Sequence, residues 1–178
     1  MIIAICGTPG TGKTVVAKKL AEDLSYDYLS LTDFVKENKI GEYDAKTKVT
    51  EVDAKELRES VWRLGLKNAV VDGMMAYAIK NDACVVLRCN PKELLNRLAK
   101  KKWLKPKIDE NVRAEILDII PVKAMEQNND VYEVDTSGKK PKDVVTLIGH
   151  IIAKRDKRYL AGKVDWTKDY ERFLIGSD

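Results

Sequence analysis

The chain has 178 residues, 44% hydrophobic and 34% charged, which excludes a disordered polymer and fits one α/β domain over 1–178 with little left for a second. Its formal net charge of +4, from 32 basic and 28 acidic residues, suits phosphate-bearing ligands without demanding RNA or DNA. No apolar run reaches transmembrane length, so no membrane partner is expected.

The run Ile2–Cys6 reads as a short buried strand rather than a signal peptide, and it enters a glycine-rich loop. Beyond the loop, Val15, Val16, Leu20 and Leu24 recur at helical spacing. Residues 28–31 form a second strand, with Thr32 or Asp33 placed to cap the next helix. Residues 38–52 are polar and read as a loop with short extended pieces. Asp53 caps a helix through Leu57, Val61 and Leu64. Strands follow at 69–73 and 83–88, and Pro91 opens a helix through Leu98. One helix of four or five turns is expected to carry Ile108, Val112, Ile116 and Ile119. A fifth strand covers 131–135, and a helix from Pro141 reaches about Ala153. The tail from Lys154 to Asp178 is charged but contains Trp166, Tyr170 and Phe173. Five strands alternating with helices predict a parallel sheet covered on both faces. Cys6, Cys84 and Cys89 lie in apolar runs and read as buried free thiols, which points to a reducing, cytoplasmic location.

The loop Gly7-Thr8-Pro9-Gly10-Thr11-Gly12-Lys13-Thr14 matches GxxxxGK[ST], with a strand before it and a helix after it. In that setting backbone N–H groups and the helix N-terminus cradle a phosphate. Gly10 and Gly12 let the chain curl closely, Lys13 reaches the β- and γ-phosphates of ATP, and Thr14 offers a hydroxyl to Mg²⁺. Asp72 ends a strand where parallel sheets place their chemistry, so it either holds Mg²⁺ through water or caps the next turn. Lys13 and Asp72 are the expected catalytic pair.

No Asn-Lys-x-Asp guanine-reading sequence is present, and the chain is short for a motor ATPase. A nucleotide or small-metabolite kinase fits better, because such an enzyme must grip an acceptor and exclude water from the transferring phosphoryl group. Between Lys92 and Lys107 there are seven basic residues and one acidic one. A mobile segment bringing Arg97, Lys100, Lys101 and Lys102 over the phosphates meets that need. Asp33, Lys36 and Arg88 are the expected acceptor-side contacts. Each basic residue has the alternative of a solvated surface.

The segments GTPGTGKT (7–14), YLSLTDFVKE (28–37), VVDG (70–73), VVLRCNPKELLNRLAKKKW (85–103) and KIDENVRAEI (107–116) together resemble the adenylate kinase 6 family over residues 2 to 150. The resemblance implies a P-loop NTPase, three-layer α/β/α fold with a five-stranded parallel sheet, adenylate kinase-like with a short lid. It implies Mg²⁺-dependent transfer from ATP to AMP or another nucleoside monophosphate, with ATPase activity. Gly10, Gly12, Lys13, Thr14 and Val15 match the family's loop, the last through its backbone. The acceptor segment would span about 30–53 and the lid about 100–110. Lys101 stands where the family usually has a lid arginine, and Lys36 where it has an acceptor-side arginine; both keep charge but lose the planar fork. Met74 occupies the place of a family histidine linked to hydrolysis, and the only histidine, His150, reads as packed or surface. The resemblance further implies a ribosomal protein partner of the uS11 group and the small ribosomal subunit precursor; the Lys/Arg clustering adds a weak rRNA contact. The aromatic tail would serve such contacts or pack back on the domain.

Overall fold

The computed structural model describes residues 1–44 and 49–175. Five parallel strands form the central sheet: β1 (Ile2–Gly7), β2 (Asp27–Ser30), β5 (Ala69–Asp72), β6 (Ala83–Arg88) and β7 (Val131–Asp135), in spatial order β2-β5-β1-β6-β7. A separate two-stranded antiparallel hairpin pairs β3 (Glu42–Asp44) with β4 (Val49–Glu51) inside the segment read as a polar loop. This is the three-layer α/β/α architecture expected of a P-loop NTPase.

The alternation along β1 explains the layers. Ile3 and Ile5 face one side, where α1 (Lys13–Leu24) and α7 (Pro141–Lys154) bring Val16, Leu20, Val144, Ile148 and Ile151. Ala4 and Cys6 face the other, covered by α2 (Leu31–Glu37), α3 (Ala54–Trp62) and α6 (Ile119–Gln127) through Phe34, Leu57 and Ile120. With both faces buried, the strands are nearly unbroken apolar runs. All three cysteines are free thiols and buried.

A third cluster lies outside the sheet. There α4 (Pro91–Ala99) and α5 (Lys105–Ile116) form a hairpin whose Leu94, Leu98, Ile108, Val112 and Ile116 pack together. The tail closes this cluster: Trp166, Tyr170, Phe173 and Leu174 lie against it, the last two in the short helix α8 (Glu171–Ile175). Tyr170 donates to Asn90 Oδ1 at 2.7 Å, and the Arg113 guanidinium sits 6.0 Å from the Phe173 ring centre. The described part of the tail therefore packs back on the domain; residues 176–178, like 45–48 of the acceptor segment, lie outside the described residues.

Three local readings are corrected. The helix after β2 begins at Leu31, and its cap is Ser30, whose Oγ accepts from the Asp33 N–H at 3.2 Å, rather than Thr32 or Asp33. The third helix ends at Trp62, before Leu64. The long helix expected through Ile119 is two helices, because Asp118 adopts a left-handed φ of 54° between α5 and α6. The Asp118 carboxylate is drawn to the Arg88 guanidinium, a contact no local pattern encodes. Among the described residues no helix is long and apolar enough to cross a membrane.

Candidate active site

The phosphate loop and Asp72 come together at the carboxyl ends of the neighbouring strands β1 and β5, the end of a parallel sheet where ligands bind. β1 delivers Gly7 into the loop, and α1 starts at Lys13 with Gly12 as its N-cap at φ 98°. No side chain caps this end, and its first turn has no acidic residue. The amides and dipole of a twelve-residue helix are thus open to an anion. Gly10, at φ 96°, carries a second constraint: a Cβ there would meet Leu94 Cδ1 at 2.8 Å and Leu98 Cδ2 at 3.0 Å. Glycine at that position lets α4 lie directly against the loop.

Lys13 folds back on this loop, its Nζ donating to the Thr8 carbonyl at 3.2 Å. Burial pushes its ammonium below the usual lysine range; Asp72 and Cys6 oppose that shift, and the charge of Lys101 adds to it. An entering phosphate would relieve both the desolvation and the Lys101 repulsion. Lys101 is thus near enough for its charge to be felt at Lys13. Val15, with its backbone in the first turn of α1, leaves its side chain 58% exposed.

Asp72 is 4% exposed. Its Oδ2 accepts from Thr14 Oγ1 at 2.7 Å and from the Tyr28 hydroxyl at 3.2 Å, while Oδ1 is buried without a partner. A hydroxyl oxygen with free lone pairs beside an unpartnered carboxylate oxygen is a hard donor set and fits Mg²⁺. Among the described residues no group of three or more His, Cys, Asp or Glu converges as a metal cage. A cation here would take its remaining ligands from phosphates and water, the habit of Mg²⁺. Burial, then the charge and hydrogen bond of Asp72, push the Tyr28 phenol up to about 12, so it stays a donor.

Behind the loop, Glu115 of α5 is 1% exposed. Its Oε2 accepts from the Thr8 hydroxyl, and its Oε1 accepts from Arg88 Nε at 2.8 Å and the Cys89 N–H at 3.0 Å. Arg88, expected to touch the acceptor, is instead 0% exposed and bound to Glu115, Glu133 and Asp118. Burial works against its charge, yet these carboxylates, Glu115 foremost, hold its pKa above the usual arginine range. It has no access to the site. Glu133 also accepts at Oε2 from the N–H groups of Gly162, Lys163 and Val164, fastening the start of the tail.

Arg97, expected on the mobile segment over the phosphates, lies within α4, the helix read from Pro91 through Leu98, and is paired with Glu93. Its Nη1 donates to the Gly10 carbonyl at 3.3 Å and its Nη2 to the Thr136 carbonyl at 3.1 Å. The Thr136 hydroxyl, with one proton to give, lies within hydrogen-bond reach of both the Thr11 and the Arg88 carbonyls at 3.0 and 2.8 Å. Arg97 braces the loop from outside it. Lys100, Lys101 and Lys102 form the exposed turn between α4 and α5, Lys102 at φ 57°, with Lys101 and Lys107 over the Trp103 ring at 5.8 and 4.9 Å.

A hollow of about 630 Å³ begins at Gly73, the residue after Asp72. Its walls include Val35, Lys36, Tyr43, Thr50, Leu57 and Met74. Lys36 is thus brought to this hollow. Asp33 is exposed in the first turn of α2 and is not among the lining residues. Met74 is 48% exposed beside the hollow. His150 lies on α7, 3.8 Å from Asp156, away from these residues.

Thr8, Tyr28, Thr136 and Glu115 are site residues the sequence reading missed. Only Glu115 left a signal: a carboxylate on the same helical face as Ile108 and Val112.

Comparison with known proteins agrees with this geometry. The family model described as AAA domain matches residues 3–118. A relative described as "Putative adenylate kinase" in Thermococcus kodakarensis (strain ATCC BAA-918 / JCM 12380 / KOD1) is 45% identical over 98% of this chain and 97% of its own. One with the same description in Methanocaldococcus jannaschii (strain ATCC 43067 / DSM 2661 / JAL-1 / JCM 10045 / NBRC 100440) is 35% identical over 98% and 97%. Among solved structures, shikimate kinase from Acinetobacter baumannii superposes with a TM-score of 0.64 at 17% identity, covering 88% of this chain and 94% of its own. Deoxyadenosine kinase from M. mycoides does so with a TM-score of 0.61 at 16% identity, covering 86% and 100%. These two show the fold alone. Matched by the AAA domain model over most of its length and by its relatives over nearly all of it, the chain belongs to the adenylate kinase 6 family of P-loop phosphotransferases.

Proposed function

We propose that the chain, acting as one domain, catalyses the Mg²⁺-dependent, reversible transfer of the ATP γ-phosphoryl group to AMP or another nucleoside monophosphate. One observation carries this reading: Asp72 is hydrogen-bonded to Thr14 of a loop built for a triphosphate, and the next residue, Gly73, lines the 630 Å³ hollow, so consecutive residues join the donor loop to a space for an acceptor. The loop amides and Lys13 would hold the donor's β- and γ-phosphates. Mg²⁺, held by Thr14 and through water by Asp72, would supply charge neutralisation at those oxygens. Lys36 would draw the acceptor phosphate, and Lys101, with Lys100 and Lys102, would fold over the transferring group and exclude water.

No side-chain base is required, because the acceptor phosphate already carries anionic oxygens and positioning does most of the work. Met74, where an imidazole would sit to direct water, favours transfer over hydrolysis. The test is Lys36→Met. We expect the KM for AMP to rise about tenfold with ATP affinity unchanged; an unchanged KM for AMP would overturn the assignment of the hollow.

A second reading, ATP hydrolysis coupled to a ribosomal protein of the uS11 group and the small-subunit precursor, is supported by the exposed Lys100–Lys102 turn beside Trp103. It calls for association that changes between ATP and ADP. Equal affinity in both states would count against it. A cytoplasmic location belongs with both readings.

A further inference from the structure

Tyr28 has no counterpart in the loop motif, yet its hydroxyl reaches the carboxylate on which the cation site depends. β2 pairs with β5 so that Tyr28 stands opposite Val70 and Ser30 opposite Asp72. With a period of two, Tyr28 and Asp72 share a sheet face two positions apart, a span that a phenol bridges. The ring is fixed from both sides. It packs into the cluster containing Val70, and the Lys18 ammonium lies 5.4 Å from its centre. The hydroxyl is therefore held in place by packing before any ligand arrives.

The consequence lies in which carboxylate oxygen is left free. Thr14 and Tyr28 both donate to Oδ2, while Oδ1 is buried and has no partner. With Cγ tied to Cβ, pinning Oδ2 sets the rotation of the carboxylate. Two donors from different elements hold that oxygen more firmly than Thr14 alone, and neither reaches Oδ1. Thr14 spends its single proton on Asp72, which leaves its oxygen lone pairs for a cation.

We infer that Tyr28 is a positioning residue for the cation: by holding Asp72 through Oδ2 it presents Oδ1 to the magnesium-bound water and sets how strongly Mg²⁺ tightens ATP binding. This rests on the reading that the loop takes Mg²⁺ with ATP.

The test is Tyr28→Phe, which keeps the ring and its packing. ATP binding is measured by calorimetry on the full chain, once with Mg²⁺ and once with EDTA, alongside thermal unfolding without nucleotide. We expect the Mg²⁺-dependent tightening to fall by about tenfold, the scale seen when a partner of a metal-holding side chain is lost, with affinity in EDTA and the unfolding midpoint unchanged. Equal weakening in both conditions would make Tyr28 a structural residue and overturn the inference, as would tightening equal to that of the unsubstituted chain. If the unsubstituted chain itself bound ATP no better with Mg²⁺, the metal reading would fall along with it.

Discussion

The Thr8 hydroxyl of the phosphate loop donates to Glu115, a carboxylate of the helix that follows the lid turn. The same carboxylate accepts from Arg88, so the loop, α5 and the carboxyl end of β6 share one buried group. Thr8→Val removes the donor and keeps the shape, leaving Oε2 unpaired. We expect a loss of about 1–3 kcal/mol in urea unfolding together with weaker ATP binding. Unchanged stability would mean that the contact contributes nothing.

Arg88→Met separates a structural arginine from a ligand-binding one. It leaves Glu115 and Glu133 buried without their cation, and removing one partner of such a network typically costs about 3–5 kcal/mol. The expected result is a large drop in the unfolding midpoint. A normal midpoint with a raised KM for AMP would return Arg88 to the acceptor side.

Arg88 also marks the limit of what the sequence reveals. The five strands, the phosphate loop and Asp72 were legible because buried parallel strands are short apolar runs and the loop's glycines have fixed spacing. A strand-ending arginine reads as ligand-facing. Only folding brings it Glu115, Asp118 and Glu133, lying 27, 30 and 45 residues away. The break between α5 and α6 had one local sign that the apolar run 116–122 masked: Pro121, which a helix tolerates only in its first turn, and which the structure places in the first turn of α6 after the bend at Asp118. Tyr28 read only as part of a strand, since nothing local announces that its hydroxyl meets Asp72.

The tail holds the lid hairpin. Phe173→Ala removes a ring packed on the α4–α5 cluster and stacked with Arg113. We expect trypsin to cut between Lys100 and Lys107 several times faster, with the sheet core resisting digestion. An unchanged cleavage rate would show that the hairpin stands without the tail.

Burial pushes the Cys89 thiol up to about 12, from an ordinary value of 9.0. Its folded pKa is raised, so the folded state keeps a proton that the unfolded chain releases. Its contribution to stability is present below pH 9 and is lost as pH climbs from there to about 12. Stability of the unsubstituted chain should therefore fall more steeply across that window than stability of Cys89→Ala. Parallel curves would contradict the assignment.

The most direct test of the central claim is ADP formation from ATP and Mg²⁺, followed with and without AMP, for the unsubstituted chain and for Lys13→Ala. We predict ADP formation that depends on AMP, yields two ADP for each ATP consumed, and disappears in Lys13→Ala. ADP formation indifferent to AMP, with inorganic phosphate released in step, would contradict it.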